Sequence, residues 1–239
     1  SRNSWSGDLL RASVPWVAVQ AYYSCFSATQ ALVWVEQGRD LGNHADVRRA
    51  FADLWSTDAY PVRPFCASVI PSRVDEAEAF EFQGLPPGAR PSGTDPKTYW
   101  TRFDAWDVAA LSLRTTLEKQ LDERFAARRA KLKTSRLPAA ERERIRQSAG
   151  PVTMLDVMHR LRVVSNYRDV DVFLLGPRDD EDDAVRHFLV NLMQAASALL
   201  FATEARLACQ LRDWELATAA EAWLTGQDRE HSPLAGRLA

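Results

Sequence analysis

The sequence predicts an all-α protein, built from long helices and interrupted by one Pro-rich insertion. Three observations carry this. Glycine is scarce, ten in 239 residues, while Ala, Leu, Arg and Glu are abundant, a balance that favours helix over tight β-turns. Apolar residues recur at spacings of three and four over long stretches. No stretch alternates with period two over a useful length, so no sheet of three or more strands is expected. The chain reads as a single helical domain over 1–239, with the Pro-rich insertion at 57–101 and a basic arm at 124–150.

The first strong segment is VPWVAVQAYYSCFSATQALVWVEQ, residues 14–37. Trp16, Val19, Tyr23, Phe26 and Gln30 recur at three and four, and Tyr22, Leu32 and Val33 widen the face, which predicts a central helix. Gly38 is a natural stop. Asn43 can cap the next helix, with Asp46 three residues on, and Val47, Phe51, Leu54 and Trp55 form its inner face. Seven prolines from Pro61 to Pro96 exclude one long helix through the insertion. VDEAEAFEF, 74–82, can form a short element there, and QGLPPGARPSGTDP is a loop by composition. Trp106, Ala110, Leu113, Leu117, Leu121 and Phe125 then make one stripe on a helix over 102–132. Thr153 and Asp156 form a T-x-x-D start signal, and Gly176–Pro177 stops the helix they open. A last long helix carries Val185, Phe188, Leu192, Ala196, Leu199 and Leu200 inward and can run on to Trp214 and Leu224.

Composition narrows the function classes. A net charge of −2 gives no global electrostatic case for nucleic acid. Cys25, Cys66 and Cys209 lie far apart among apolar or aromatic neighbours, as free buried thiols in a reducing cytoplasm would. No run approaches the roughly 20 apolar residues of a membrane span, so no membrane partner is expected. The chain begins at Ser1 without a signal-like segment, as a processed, tagged or excised chain would. No Walker loop, G-x-G-x-x-G, Ser-His-Asp spacing or Cys/His metal pattern is present, so neither a cofactor nor a metal is expected. The acidic run Asp179–Asp183 complements the dipole of the helix it precedes.

The stretch RVVSNYRDVDVFLLG, 162–176, holds the candidate catalytic residues. On a helix His159, Arg162, Asn166 and Asp169 are spaced by three, four and three and share one face, with Tyr167 beside them. Arginine can hold a phosphate or carboxylate by its fork of donors, histidine can pass a proton near neutral pH, and Asn and Tyr can orient a substrate oxygen. The competing reading is an internal network in which Arg162 pairs with a carboxylate. In the basic arm, residues 124–146 hold nine Lys or Arg against two Glu, and Arg128, Arg129, Lys131 and Lys133 are the candidates for a phosphate backbone. One aromatic, Phe125, gives no case for base stacking, and a solvated helix face is the alternative.

AYYSCFSATQALVWVEQG, NHADVRRAF and the late RVVSNYRDVDVF together resemble the HEPN family, the higher eukaryotes and prokaryotes nucleotide-binding domain. The resemblance covers about residues 14–55 and 102–210 and includes the pair Tyr22–Tyr23, then Gly38, His44 and Phe51. It implies an antiparallel helical bundle, a homodimer or heteromeric protein partner, and a place in a bacterial toxin–antitoxin or anti-phage system acting on RNA or nucleotides. Some members are metal-independent ribonucleases; others are non-catalytic partners of nucleotidyltransferases. Catalytic members carry a histidine four to six residues beyond an arginine, and Arg162 has none in reach. RDLGNH, Arg39 to His44, matches the spacing but falls in the first interhelical loop.

Overall fold

The computed structural model describes residues 7–56, 62–72, 80–85, 105–167, 181–211 and 218. Among them are six helices and three short strands: α1 (Gly7–Gln37), α2 (His44–Trp55), β1 (Ser68–Pro71), β2 (Phe80–Gln83), α3 (Ala105–Leu132), α4 (Ala139–Gln147), β3 (Val152–Thr153), α5 (Met154–Tyr167) and α6 (Glu181–Ala208). The protein is mainly helical, as expected. The sheet is not: β2, β1 and β3 form three antiparallel strands with β1 in the centre. Strands of four, four and two residues are too short to write a period-two pattern. Pro71 is tolerated in the central strand because β3 pairs only with Ser68 and Val69, leaving Pro71 bonded on one side. Of VDEAEAFEF, residues 80–82 lie in β2 and the remainder falls outside the described residues.

Helix starts and stops follow the local chemistry. Asn43 Oδ1 accepts from the backbone N–H groups of Ala45 and Asp46, each at 3.0 Å, and its amide donates to Asp46 at 2.7 Å. Gly38 takes a left-handed φ of 62° and donates to the Trp34 carbonyl at 2.9 Å, closing α1. At its other end α1 begins at Gly7 and runs through Pro15, whose missing N–H forgoes one backbone bond.

The α1 face is rotated from the one the spacing suggested. Trp16 is 70% exposed and Tyr23 faces the surface, while Ala18, Ala21, Tyr22, Cys25, Leu32 and Val33 are buried. Small side chains here let α6 come close, and the large rings flank the contact. The C-terminal ends of α1 and α6 meet where Arg206 pairs with Glu36 and Gln210 donates to Glu36 at 2.9 Å, and α6 packs along α1. These two helices therefore lie side by side in the same direction, which corrects the purely antiparallel bundle. Leu192, Ala196 and Leu199 are the inner face of α6, whereas Leu200 turns outward. The side chains of Trp106, Val185 and Phe188, and residues Trp214 and Leu224, lie outside the described residues.

Two cores share α5. One gathers Tyr22, Cys25, Phe51, Trp55, Leu155 and Met158; the other packs Val69 and Val152 of the sheet on Leu113, Leu117 and Leu121 of α3. Met154 and Leu161 touch both. The basic segment is no free arm: after Leu132 the chain turns at Lys133, buries Leu137 and folds back as α4, which Pro138 precedes. Phe125 and Ile145 pack on the second core, and Arg128 pairs with Glu141 at 2.9 Å.

Gly84, just after β2, holds φ at 69°, and a Cβ there would stand 2.2 Å from the Cys66 carbonyl oxygen. Gly84→Ala should cost about 2–5 kcal/mol, combining left-handed backbone strain with overpacking. A thermal melt reads this directly; an unchanged midpoint would show that the β2 end does not contribute to the cooperative fold.

Candidate active site

The Tyr22 ring is the floor of the site. It is fully buried, and burial pushes its phenol above the ordinary tyrosine range, outweighing the opposing pull of Arg48 and Arg162. Five side chains from three helices converge on it. His44, first residue of α2, places Nδ1 2.7 Å from the Tyr22 hydroxyl. His159 of α5 meets the Tyr22 ring edge-on at 5.3 Å between centroids and lies 5.6 Å from the His44 ring. The Arg162 guanidinium sits over both tyrosines, 5.5 Å from the Tyr22 centroid and 5.1 Å from that of Tyr23. Tyr23 and Phe26 close the side, at 6.1 and 4.8 Å from His44. Tyr23 is 37% exposed and His44 only partly covered, so the cluster opens to solvent.

The two arginines near the histidines differ in kind. Arg48 of α2 donates to Asp156 at 2.9 Å and is neutralised by it. Asp156 also accepts from the Thr153 backbone and hydroxyl, both at 2.9 Å, so the T-x-x-D signal forms the expected start of α5. Arg162 pairs with no carboxylate among the described residues, and its Nε is buried without a hydrogen-bond partner. Among the described residues, the internal ion pair that competed with a site at Arg162 is not formed. A buried donor left unpaired costs roughly 1–3 kcal/mol, and such a group is suited to an incoming anion.

Both histidines are held neutral. Burial, then Arg48, Arg162 and His44, push His159 down to about 4. Burial, then Arg162 and Arg48, lower His44. An anion in the cleft would reverse the arginine contribution and raise both. The arrangement can bind a phosphate or carboxylate and move one proton at its edge.

Of the sequence candidates, the fold brings His159 and Arg162 to one place. Asn166 and Tyr167 belong to the end of α5, and their side chains, like the whole of Asp169, lie outside the described residues. Arg39 is exposed and, among the described residues, reaches only Gln37, at 3.4 Å, so the Arg39–His44 pair is not assembled. His44 instead faces Arg162 across the tyrosine pair, a relation no linear spacing contains. Tyr22 and Arg48 were missed as site residues; Tyr22 entered only as a member of the tyrosine pair that carries the resemblance. In the basic segment Arg129, Lys131 and Lys133 are exposed and Arg128 is engaged by Glu141. Among the described residues no cluster of His, Cys, Asp or Glu could hold a metal, and no helix is long and apolar enough to cross a membrane. The chain matches no family model, and no curated protein or solved structure is significantly similar to it.

The depressed His159 sets a pH dependence. Its folded value is below the unfolded 6.5, so the unfolded chain binds the extra proton, and the neutral ring's contribution is present above pH 6.5. Stability should fall as pH drops from about 6.5 to about 4. Discounted for partial solvent exposure, the loss is on the order of 1 kcal/mol. His159→Gln should flatten the melting-temperature profile in that window; a variant profile parallel to wild type would mean that His159 does not titrate with folding.

Proposed function

We propose that the chain is a metal-independent ribonuclease of HEPN-like character, working at the cleft formed by His44, His159 and Arg162 on the Tyr22–Tyr23 floor. The observation that supports this most is the convergence of two neutral histidines, from α2 and α5, on an arginine with no carboxylate partner among the described residues. Arg162 meets the bridging phosphate as a charged fork of donors and stabilises the negative charge that grows on phosphorus. A histidine takes the proton from the ribose 2′-hydroxyl. The 2′-oxygen bonds to phosphorus, the P–O5′ bond breaks, and the departing oxygen takes up a proton. The products are a 2′,3′-cyclic phosphate and a 5′-hydroxyl. The exposed Arg129, Lys131 and Lys133 offer further charge to the RNA backbone. The resemblance places such an enzyme in the bacterial cytoplasm, in a toxin–antitoxin or anti-phage system.

A second reading has its own observation. Along one side of α6, Val190, Met193 and Phe201 are 43%, 57% and 49% exposed and form an apolar strip. It favours a helical scaffold that docks a nucleotidyltransferase or another protein, or a homodimer.

The purified chain should cleave RNA in the presence of a chelator and leave cyclic-phosphate ends. Arg162→Ala should lower kcat/KM by about 10²–10³-fold. It should cost no more than about 1–2 kcal/mol of stability, because it removes stacking on two tyrosines and strands no carboxylate. Intact RNA after incubation with wild type across pH 5–8 would rule the ribonuclease out and leave the scaffold reading.

A further inference from the structure

The Tyr22–His44 contact has one hydrogen to place between two atoms 2.7 Å apart. If His44 Nδ1 supplied it, the hydroxyl hydrogen of Tyr22 would need another acceptor. Tyr22 is fully buried and makes no second hydrogen bond among the described residues. A phenol whose pKa is raised by burial also stays protonated throughout the physiological range. The hydroxyl therefore donates, Nδ1 accepts, and the neutral ring must carry its hydrogen on Nε2, on the far side from Tyr22. His159 touches Tyr22 only through its ring edge, and no hydrogen bond among the described residues engages either of its nitrogens.

We infer that Tyr22 is a positioning residue that fixes His44 as the Nε2–H tautomer, so that His44 offers a bound phosphoryl oxygen a hydrogen-bond donor while His159 is the group that accepts the proton. The division of roles rests on the ribonuclease reading; the tautomer does not. In the cleavage step His159 takes the 2′-hydroxyl proton, the 2′-oxygen closes on phosphorus, and the P–O5′ bond breaks. The 5′-oxygen then receives the proton back from the His159 imidazolium. His44 changes no covalent bond: with Arg162 it stabilises the charge on the non-bridging oxygens, as a neutral imidazole donor can. The charged and titratable groups facing His44 are Tyr22 and Tyr23 from α1, Arg48 from its own helix, and His159 and Arg162 from α5, with Asp156 neutralising Arg48.

The test is long-range proton–nitrogen correlation NMR of the chain carrying 15N-histidine, with His44 and His159 assigned from His44→Gln and His159→Gln. Wild type should show one His44 tautomer, with Nδ1 in the acceptor range and Nε2 protonated. Tyr22→Phe should relax that ring towards the mixture of free imidazole. Wild type with the hydrogen on Nδ1 overturns the inference, and this spectrum needs no variant to fold. Kinetics on single-stranded RNA read the roles. His44→Gln keeps an amide N–H near the Nε2 position and should retain at least about a tenth of kcat/KM. His159→Gln cannot accept a proton and should lose about 10²-fold or more. Equal loss in both variants overturns the division of labour. RNA left uncut by wild type, with the Nε2–H tautomer observed, would remove the ribonuclease reading and keep the assignment of Tyr22.

Discussion

The carboxylate of Asp156 is the constraint on which the site depends. It is about nine-tenths buried, and it accepts from the Thr153 backbone and hydroxyl, from Arg48 and, at 3.5 Å, from Gln120. Those partners belong to the end of β3, to α2 and to α3. One buried charge thereby ties the start of α5 to β3, α2 and α3. Burying a carboxylate is expensive unless its lone pairs are filled, and removing one partner from such a pair typically costs 3–5 kcal/mol. That penalty makes the register of α2 against α5 steep, and this register decides whether His44 stands opposite His159.

The same interaction separates the roles of the two arginines. Arg48 is held between Asp156 and the carbonyl of His44, so its charge is largely balanced and its geometry fixed. Arg162 rests on aromatic rings, which attract a cation without neutralising it. Among the described residues no carboxylate balances the Arg162 charge, which stands beside two imidazoles whose pKa values are lowered. An anion bound here would meet the Arg162 guanidinium and bring the histidines back towards their ordinary range. Tyr22, buried and protonated, supplies both the floor and the hydrogen bond that orients His44.

Away from the cleft, the fold works to cover its sheet. β1 places Val69 against α3, and the basic segment doubles back so that Phe125 and Ile145 extend the same core. Folding back also brings Glu141 to Arg128, which reduces the local charge repulsion of a segment with nine cations. The positive surface that remains includes Arg129, Lys131 and Lys133 near the turn, and Arg136, Arg142, Arg144 and Arg146 beyond it.

The helices were legible because their information is local. The cap at Asn43, the stop at Gly38, the Thr153–Asp156 start and the stripe from Ala110 to Leu121 each lie within about three turns of chain, and each forms as its residues dictate. The approximate place of the site was legible too, since Arg162 and His159 are one turn apart. What the sequence did not hold was orientation about the helix axis and meeting across distance. Trp16 and Tyr23 fit an apolar stripe as well as Ala18, Ala21 and Cys25 do, and only the close approach of α6 decided which face went inward. The short strands carry too few residues to show a period. His44 and His159 are brought within 5.6 Å by a buried carboxylate that pairs residues 108 positions apart, and no spacing along a chain encodes such a pairing. Hydrogen bonding within a few residues wrote the elements; desolvation of one charge and the packing of small against large side chains assembled the cleft.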